Sequence, residues 1–348
     1  METTPDFLMK APIERQSPPV RVVALGGGTG LSTMLRGLKA HLAEGGKRRA
    51  DLTISDLTAV VTVTDDGGSS GRLRREYKVL PPGDIRNCLV ALSQDEHLLG
   101  QLFQYRFPAG RGLGGHSFGN LFLTALTNSM GDFPKAVEVS ARVLAIRGRI
   151  FPSTAENVTL EATLEDGTLV AGETNISRSR KRIVRVRLVP RRVRPLPEVL
   201  AAMRSANLIL VGPGSLYTSI LPNLLVEEVA EVIAQSKATR VYIANLMTQP
   251  GETAHYSVAD HVRAIYEHTR RKLFDLAVIN RTAVSPQLLR RYRAQGAEPV
   301  DPSLDGLARL GLPYVTGDFL RQDGVVRHDE TRLSEVLLAE FNKRRNHH

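Results

Sequence analysis

Val20-Arg21-Val22-Val23-Ala24-Leu25-Gly26-Gly27-Gly28-Thr29-Gly30-Leu31-Ser32-Thr33-Met34-Leu35-Arg36-Gly37-Leu38 is the stretch on which the fold turns. Six residues form a short valine-rich apolar run and glycines break it. Apolar residues then recur at 31, 34, 35 and 38, the spacing of one helical face. The reading is strand, glycine loop, helix. A second such unit has its strand at 57–63 and ends in Thr64-Asp65-Asp66-Gly67-Gly68-Ser69-Ser70-Gly71. A third runs from 208–211 into Gly212-Pro213-Gly214-Ser215, a fourth from 241–245 into 246–253, and a fifth strand lies at 276–280. Apolar strands alternating with helical segments predict an α/β fold, a Rossmann-like and mostly parallel sheet with helices on both faces.

Two stretches interrupt the alternation. Residues 84–150 read as a helical insertion, with Leu121, Phe122, Ala125 and Leu126 on one stripe. Residues 157–190 read as a small antiparallel β-meander insert, with strands at 158–164, 168–174 and 183–188 and a turn at Asp166-Gly167. Alternation in the last strand predicts Arg185 and Arg187 on one face, opposite Val184, Val186 and Leu188. Residues 1–19, with Pro5, Pro12, Pro18 and Pro19, read as a disordered leader, 20–340 as a single domain carrying the insert, and 341–348 as a basic tail.

Composition removes several function classes. With 348 residues, 42% of them hydrophobic and 24% charged, the chain has ordinary globular usage and enough length for a sizeable core. No run approaches the roughly 18 apolar residues of a membrane span, so none is expected. A single cysteine, Cys88, in apolar surroundings excludes an internal disulfide and a cysteine-rich zinc module. The net charge of +10 is concentrated between Arg178 and Arg194, where nine basic residues occur without an acid. The rest of the chain is close to neutral and no nucleic-acid recognition motif surrounds the run, so it reads as a solvated strand face and nucleic acid is not an expected partner.

In an open parallel sheet the ligand sits beyond the carboxyl ends of the strands, where strand order reverses. The loops at 26–30, 67–71 and 212–215 permit close backbone approach, and a helix after each directs free N–H groups at an anion. Converging, they predict a phosphate or pyrophosphate cradle. A dinucleotide fingerprint fails because Leu31 and Thr33 stand where glycine is needed, and Lys47-Arg48-Arg49 fills the interval where an acid is expected. No P-loop signature occurs. Gly115-His116-Ser117-Phe118-Gly119 matches the G-x-S-x-G elbow of α/β-hydrolases, but the glycine- and proline-containing stretch 108–114 is no strand, so Ser117 is read as a loop residue. His116 and Asn120 then read either as ligand donors near a helix N-terminus or as caps of that helix. Asp65-Asp66 at a strand end suits Mg²⁺ coordination, acceptance from a sugar or base, or general-base work. Arg72, Arg74 and Arg75 suit a phosphate clamp, or simple pairing with Glu76 and Asp84.

These runs resemble the CofD/YvcK superfamily, and specifically its YvcK-type gluconeogenesis factors. The resemblance rests on the loops at 26–30 and 65–74, Pro81-Pro82-Gly83-Asp84-Ile85-Arg86-Asn87, Phe103-Gln104-Tyr105-Arg106-Phe107, the stretch 115–120, Gly212 to Asn223, and Met247-Thr248-Gln249-Pro250-Gly251-Glu252-Thr253. It spans about residues 20–340. It implies a cytoplasmic protein that binds UDP-sugars, UDP-N-acetylglucosamine among them, and serves cell shape and wall synthesis during gluconeogenic growth through a protein partner. No catalytic residue and no required cofactor come with that branch, and a homo-oligomer is compatible with it. CofD-like relatives instead transfer 2-phospho-L-lactate to a deazaflavin with a divalent metal, which keeps a transferase and Mg²⁺ as the alternative. The family pattern implies that Gly27, Gly28, Thr29 and Gly30 border the nucleotide, that Asp65 faces the site, and that Gly214 and Ser215 lie near phosphate. Asn245 and Gln249 would line the same crevice, and Tyr256 fits the branch's ligand-contacting tyrosine. The matching arginine falls among Arg290, Arg291 and Arg293, of which Arg293 is carried forward. Gly68, Ser69, Arg72, Asn87, His116 and Asn120 complete the candidate set.

Overall fold

The computed structural model describes residues 20–43, 53–95, 97–108, 110 and 112–346, so the expected leader lies outside the described residues. Strand β1 (Val20–Gly26) leads into α1 (Gly28–Lys39), and β2 (Ile54–Val61) into α2 (Gly68–Tyr77). The helical insertion is α3 (Gly83–Leu92), α4 (Leu98–Gln104), α5 (Phe118–Met130) and α6 (Phe133–Val143), and it returns to the sheet at β3 (Arg149–Pro152). The β insert comprises β4 (Thr159–Leu164), β5 (Leu169–Ala171), α7 (Glu173–Arg178) and β6 (Ile183–Val189). After α8 (Pro197–Ser205), β7 (Leu208–Val211) passes through a π turn (Leu216–Ile220) into α9 (Leu221–Leu224). Then come α10 (Val229–Gln235), β8 (Thr239–Ile243), α11 (Val258–Thr269), β9 (Leu276–Asn280), α12 (Pro286–Arg293) and α13 (Leu304–Leu310). Strand β10 (Tyr314–Gly317), a hairpin of β11 (Leu320–Gln322) and β12 (Val326–His328), and α14 (Glu330–Asn346) follow.

Seven strands form one parallel sheet in the order β10-β9-β8-β7-β1-β2-β3. The chain winds outward from β1 through β2 to β3, then restarts beside β1 at β7 and winds the other way. Strand order therefore reverses between β1 and β7, and their carboxyl ends open a crevice there. Central strands are buried on both faces, which is why they read as continuous apolar runs: all four residues of β7 and the first four of β9 are buried. Leu31, Met34, Leu35 and Leu38 of α1 are fully buried, and the helix packs against α3 and α14. Burying each such side chain contributes about 1.5–3 kcal/mol.

Several expectations need correction. The sheet has two edge strands, β3 and β10, which the periodicity did not single out because both are short and, unlike the equally short β7, only partly buried, so neither reads as a continuous apolar run. In the insert the order is β5-β4-β6, so the third strand pairs with the first and not with the second, as a meander would require. The expected second strand stops at Ala171 and turns into α7. Strict alternation in β6 also fails. A register shift between Thr163 and Leu164 puts Ile183 in the core and leaves Val184 51% exposed, the local effect of a bulge. Helix α14 continues through 341–346, which the charge pattern set apart as tail, and Phe341 is buried.

Candidate functional site

At the strand-order reversal, the glycine loops after β1 and β7 touch. A side chain on Gly30 would run into the Pro213 carbonyl, and a Cβ on Gly27 would lie 2.7 Å from both Asp84 Oδ2 and Thr62 Cγ2. Only glycine permits this approach. Asn245, at the end of β8, holds the second loop reciprocally: Gly214 N donates to its Oδ1 at 3.0 Å, and its Nδ2 donates to Gly214 O at 2.8 Å. Gln249 Nε2 donates to Ser215 Oγ at 2.6 Å, leaving Gln249 Oε1 buried without a hydrogen-bond partner. These loops wall a cavity of about 350 Å³ lined by Gly27, Gly28, Thr29, Gly30, Gly214, Ser215, Asn245 and Gln249. The cradle expected from the glycine loops thus has two of its three predicted walls, and Gly67–Gly71 is not one of them.

Residues the sequence reading did not select complete the lining: Asp84 from α3, Glu173 from the β insert, Tyr292 from α12, and Arg327 and His328 from β12. A second compartment of about 260 Å³ shares Thr29, Thr33 and Arg327 with the first. Ser32, Arg36, Arg86, Asn87, Gln104 and Arg106 line the rest of it. Arg36, Arg86, Arg106 and Arg327 thus line the second compartment and Asp84 and Glu173 the first, with Arg327 common to both. Arg36 was legible in principle, since Thr29, Ser32, Thr33 and Arg36 form the polar face of α1 opposite its apolar stripe. Arg86 Nη2 donates to Asn87 Oδ1 at 2.8 Å, and Arg86 Nη1 to Ser117 Oγ at 2.7 Å and Asn120 Oδ1 at 3.1 Å.

The carboxyl-lined compartment has perturbed protonation. Desolvation raises the Glu173 carboxyl to about 9, and the carboxylates of Asp65, Asp84, Glu252 and Asp66 push the same way. Asp84 rises to about 6, mainly by desolvation with help from Asp65, against the opposing Gly28 N–H bond and the Arg86 charge. At neutral pH Glu173 is a proton donor and Asp84 mostly an acceptor. Asp66 does not face the cavity. Its Oδ1 accepts from Thr174 N at 2.9 Å and Thr174 Oγ1 at 2.7 Å, which pins α7 and aims Glu173 inward. Asp65 Oδ1 accepts from Gly67 N at 2.8 Å. Among the described residues no three Asp, Glu, His or Cys side chains are grouped to hold a metal ion.

The remaining candidates lie outside the cavity lining. Ser69 Oγ is 2.9 Å from His116 Nδ1 and accepts from Asn120 Nδ2 at 3.1 Å, a buried network bracing α2 against α5. Arg72 Nη2 donates to Gly114 O at 2.8 Å in the same brace, and Gly68 opens α2. Ser117 caps α5, with Asn120 N donating to its Oγ at 3.3 Å, so the elbow-like motif is a helix cap. Tyr256 meets Tyr217, hydroxyl to hydroxyl at 2.8 Å. Arg293 is exposed at the end of α12, while its neighbour Tyr292 reaches the cavity and its hydroxyl accepts from Val326 N at 3.0 Å.

Comparison with known proteins agrees with this architecture. The family described as 2-phospho-L-lactate transferase CofD matches residues 22–320. A Nostoc sp. protein is 50% identical over 321 residues, covering 91% of this chain and 68% of that one. The gluconeogenesis factor of Bacillus subtilis is 46% identical over 319 residues, covering 91% and 97%. A crystal structure from Bacillus halodurans, described as a member of the upf0052 family, superposes with a TM-score of 0.86 at 44% identity, covering 92% of this chain and 99% of that one. The chain belongs to the CofD family, in its branch of YvcK-type gluconeogenesis factors.

Proposed function

We propose that the protein is a cytoplasmic UDP-sugar-binding regulator, with UDP-N-acetylglucosamine or a close analogue as ligand. The observation that carries this reading is the pairing of two adjoining compartments that share Thr29, Thr33 and Arg327, one lined by Arg36, Arg86 and Arg106 and the other by Asp84 and Glu173. A diphosphate suits the guanidinium compartment, where bidentate contacts are strong. Sugar hydroxyls suit the carboxyl compartment, where Glu173 donates and Asp84 accepts. The glycine loops supply backbone N–H groups between the two. The regulatory step is linkage: a bound ligand favours one arrangement of loops and helices, and a partner in cell-wall control reads that arrangement. Support for the gluconeogenic setting comes from the name carried by the Bacillus subtilis relative.

Thermal unfolding with UDP-N-acetylglucosamine, UDP-glucose and NAD tests the reading. At ligand near 100 times its dissociation constant, UDP-sugars add about 2.7 kcal/mol of stability and shift the melting temperature by several degrees. NAD leaves it unchanged. A shift with NAD and none with UDP-sugars overturns the proposal.

A further inference from the structure

A third cavity, of about 360 Å³, shares no lining residue with the crevice. It is bounded by Thr163 of β4, by Arg185, Arg187 and Leu188 of β6, by Arg191 just beyond that strand, and by Leu225 at the end of α9. Register explains how the arginines meet. Arg185 pairs opposite Thr163 and Arg187 opposite Glu161, so both guanidinium groups stand on one face two residues apart. Arg187 is ion-paired with Glu161. Among the described residues, Arg185 and Arg191 have no carboxylate within 4.0 Å.

Three guanidinium groups and one carboxylate around one cavity leave a local excess of two positive charges, with Leu188 and Leu225 as an apolar wall. Like charges held this close repel, and an anion that enters between them removes the repulsion. A phosphate group matches both the excess charge and the donor geometry of arginine. An extended nucleic-acid track fits less well, because Lys181 is paired with Asp166 and Arg182 with Glu165 on the approach to the strand. We propose that this cavity is a second anion site, separate from the crevice, that takes the terminal phosphate of a small phosphate-bearing molecule. The proposal does not depend on the identity of the crevice ligand.

Calorimetric titration of the full chain with inorganic diphosphate tests it, with glucose 6-phosphate as a second arm to separate a free diphosphate from a phosphate monoester. Arg185→Gln combined with Arg191→Gln is expected to weaken binding of at least one of the two probes tenfold or more, about 1.4 kcal/mol. Both residues are exposed, so the melting temperature should stay within a degree or two of wild type. Glu161→Gln frees Arg187 and should tighten the same binding several-fold, an outcome that a merely structural ion pair would not produce. Arg327→Gln, in the crevice, should leave this event intact. Absence of any binding by either probe overturns the site. So does binding that Arg327→Gln removes and the double variant spares. A single-stranded RNA 20-mer that binds while both probes do not would replace the proposal with a nucleic-acid surface.

Discussion

Glu173 shows how little a single letter reveals by itself. It follows Gly172 in a polar stretch, and nothing in its neighbours marks it as a site residue. It faces the cavity because Thr174 is bonded twice to Asp66, 108 residues earlier in the chain. Its pKa near 9 and that of Asp84 near 6 both exceed their unfolded values, so the folded protein holds these protons more tightly. The sign follows from linkage: stability present below about pH 4 falls as pH rises through the two folded values, because the unfolded chain then binds fewer protons. Glu173→Gln keeps a neutral donor and removes that titration. The variant should therefore lose less stability than wild type between pH 5 and pH 9, by at least about 1 kcal/mol in denaturant unfolding. Parallel pH curves for the two proteins would show that Glu173 ionises freely in the fold.

At the scale of elements, α7 is the part most exposed to a small change. It has six residues, too few to be stable by itself, and it is held by Asp66 and by the Ser177 Oγ bond to Glu252 at 3.0 Å. Thr174→Val deletes the hydroxyl bond to Asp66 while preserving shape, a net cost of about 0.5–1.5 kcal/mol. Hydrogen exchange should then quicken at residues 173–178 and stay unchanged in β1, β7 and β9. Uniform quickening across the sheet would mean that the insert and the sheet unfold as one unit. In the basic run, Lys181, Arg182 and Arg187 pair across the small sheet with Asp166, Glu165 and Glu161. Its bulge was hidden, because alternation records which residues are apolar and not where the partner strand gains or loses a residue.

For the whole molecule, the site exists only where the two halves of the sheet meet. Gly30 sits against the Pro213 carbonyl, so Gly30→Ala must push the β1 and β7 loops apart. The expected cost is about 1–3 kcal/mol of stability, together with a loss of UDP-sugar affinity that exceeds tenfold by titration calorimetry. If stability falls and affinity holds, the crevice tolerates separation of its loops and the ligand lies elsewhere.

The sequence by itself determined the α/β class, the central strands, the two insertions and the glycine loops at β1 and β7. All of these are local: apolar runs, helical spacing and residues that alone tolerate close backbone approach. It also ruled out the hydrolase elbow, since the stretch before Ser117 could not be a strand. Only the tertiary structure decided that Gly68, Ser69, His116 and Asn120 brace the scaffold outside the cavity lining. It alone brought Asp84, Glu173, Tyr292 and Arg327 from four separate elements to one cavity. The reason is physical. A strand or helix is specified by neighbours a few residues away, whereas a site at a strand-order reversal is specified by which strands pair, and that is settled by burial of the whole sheet.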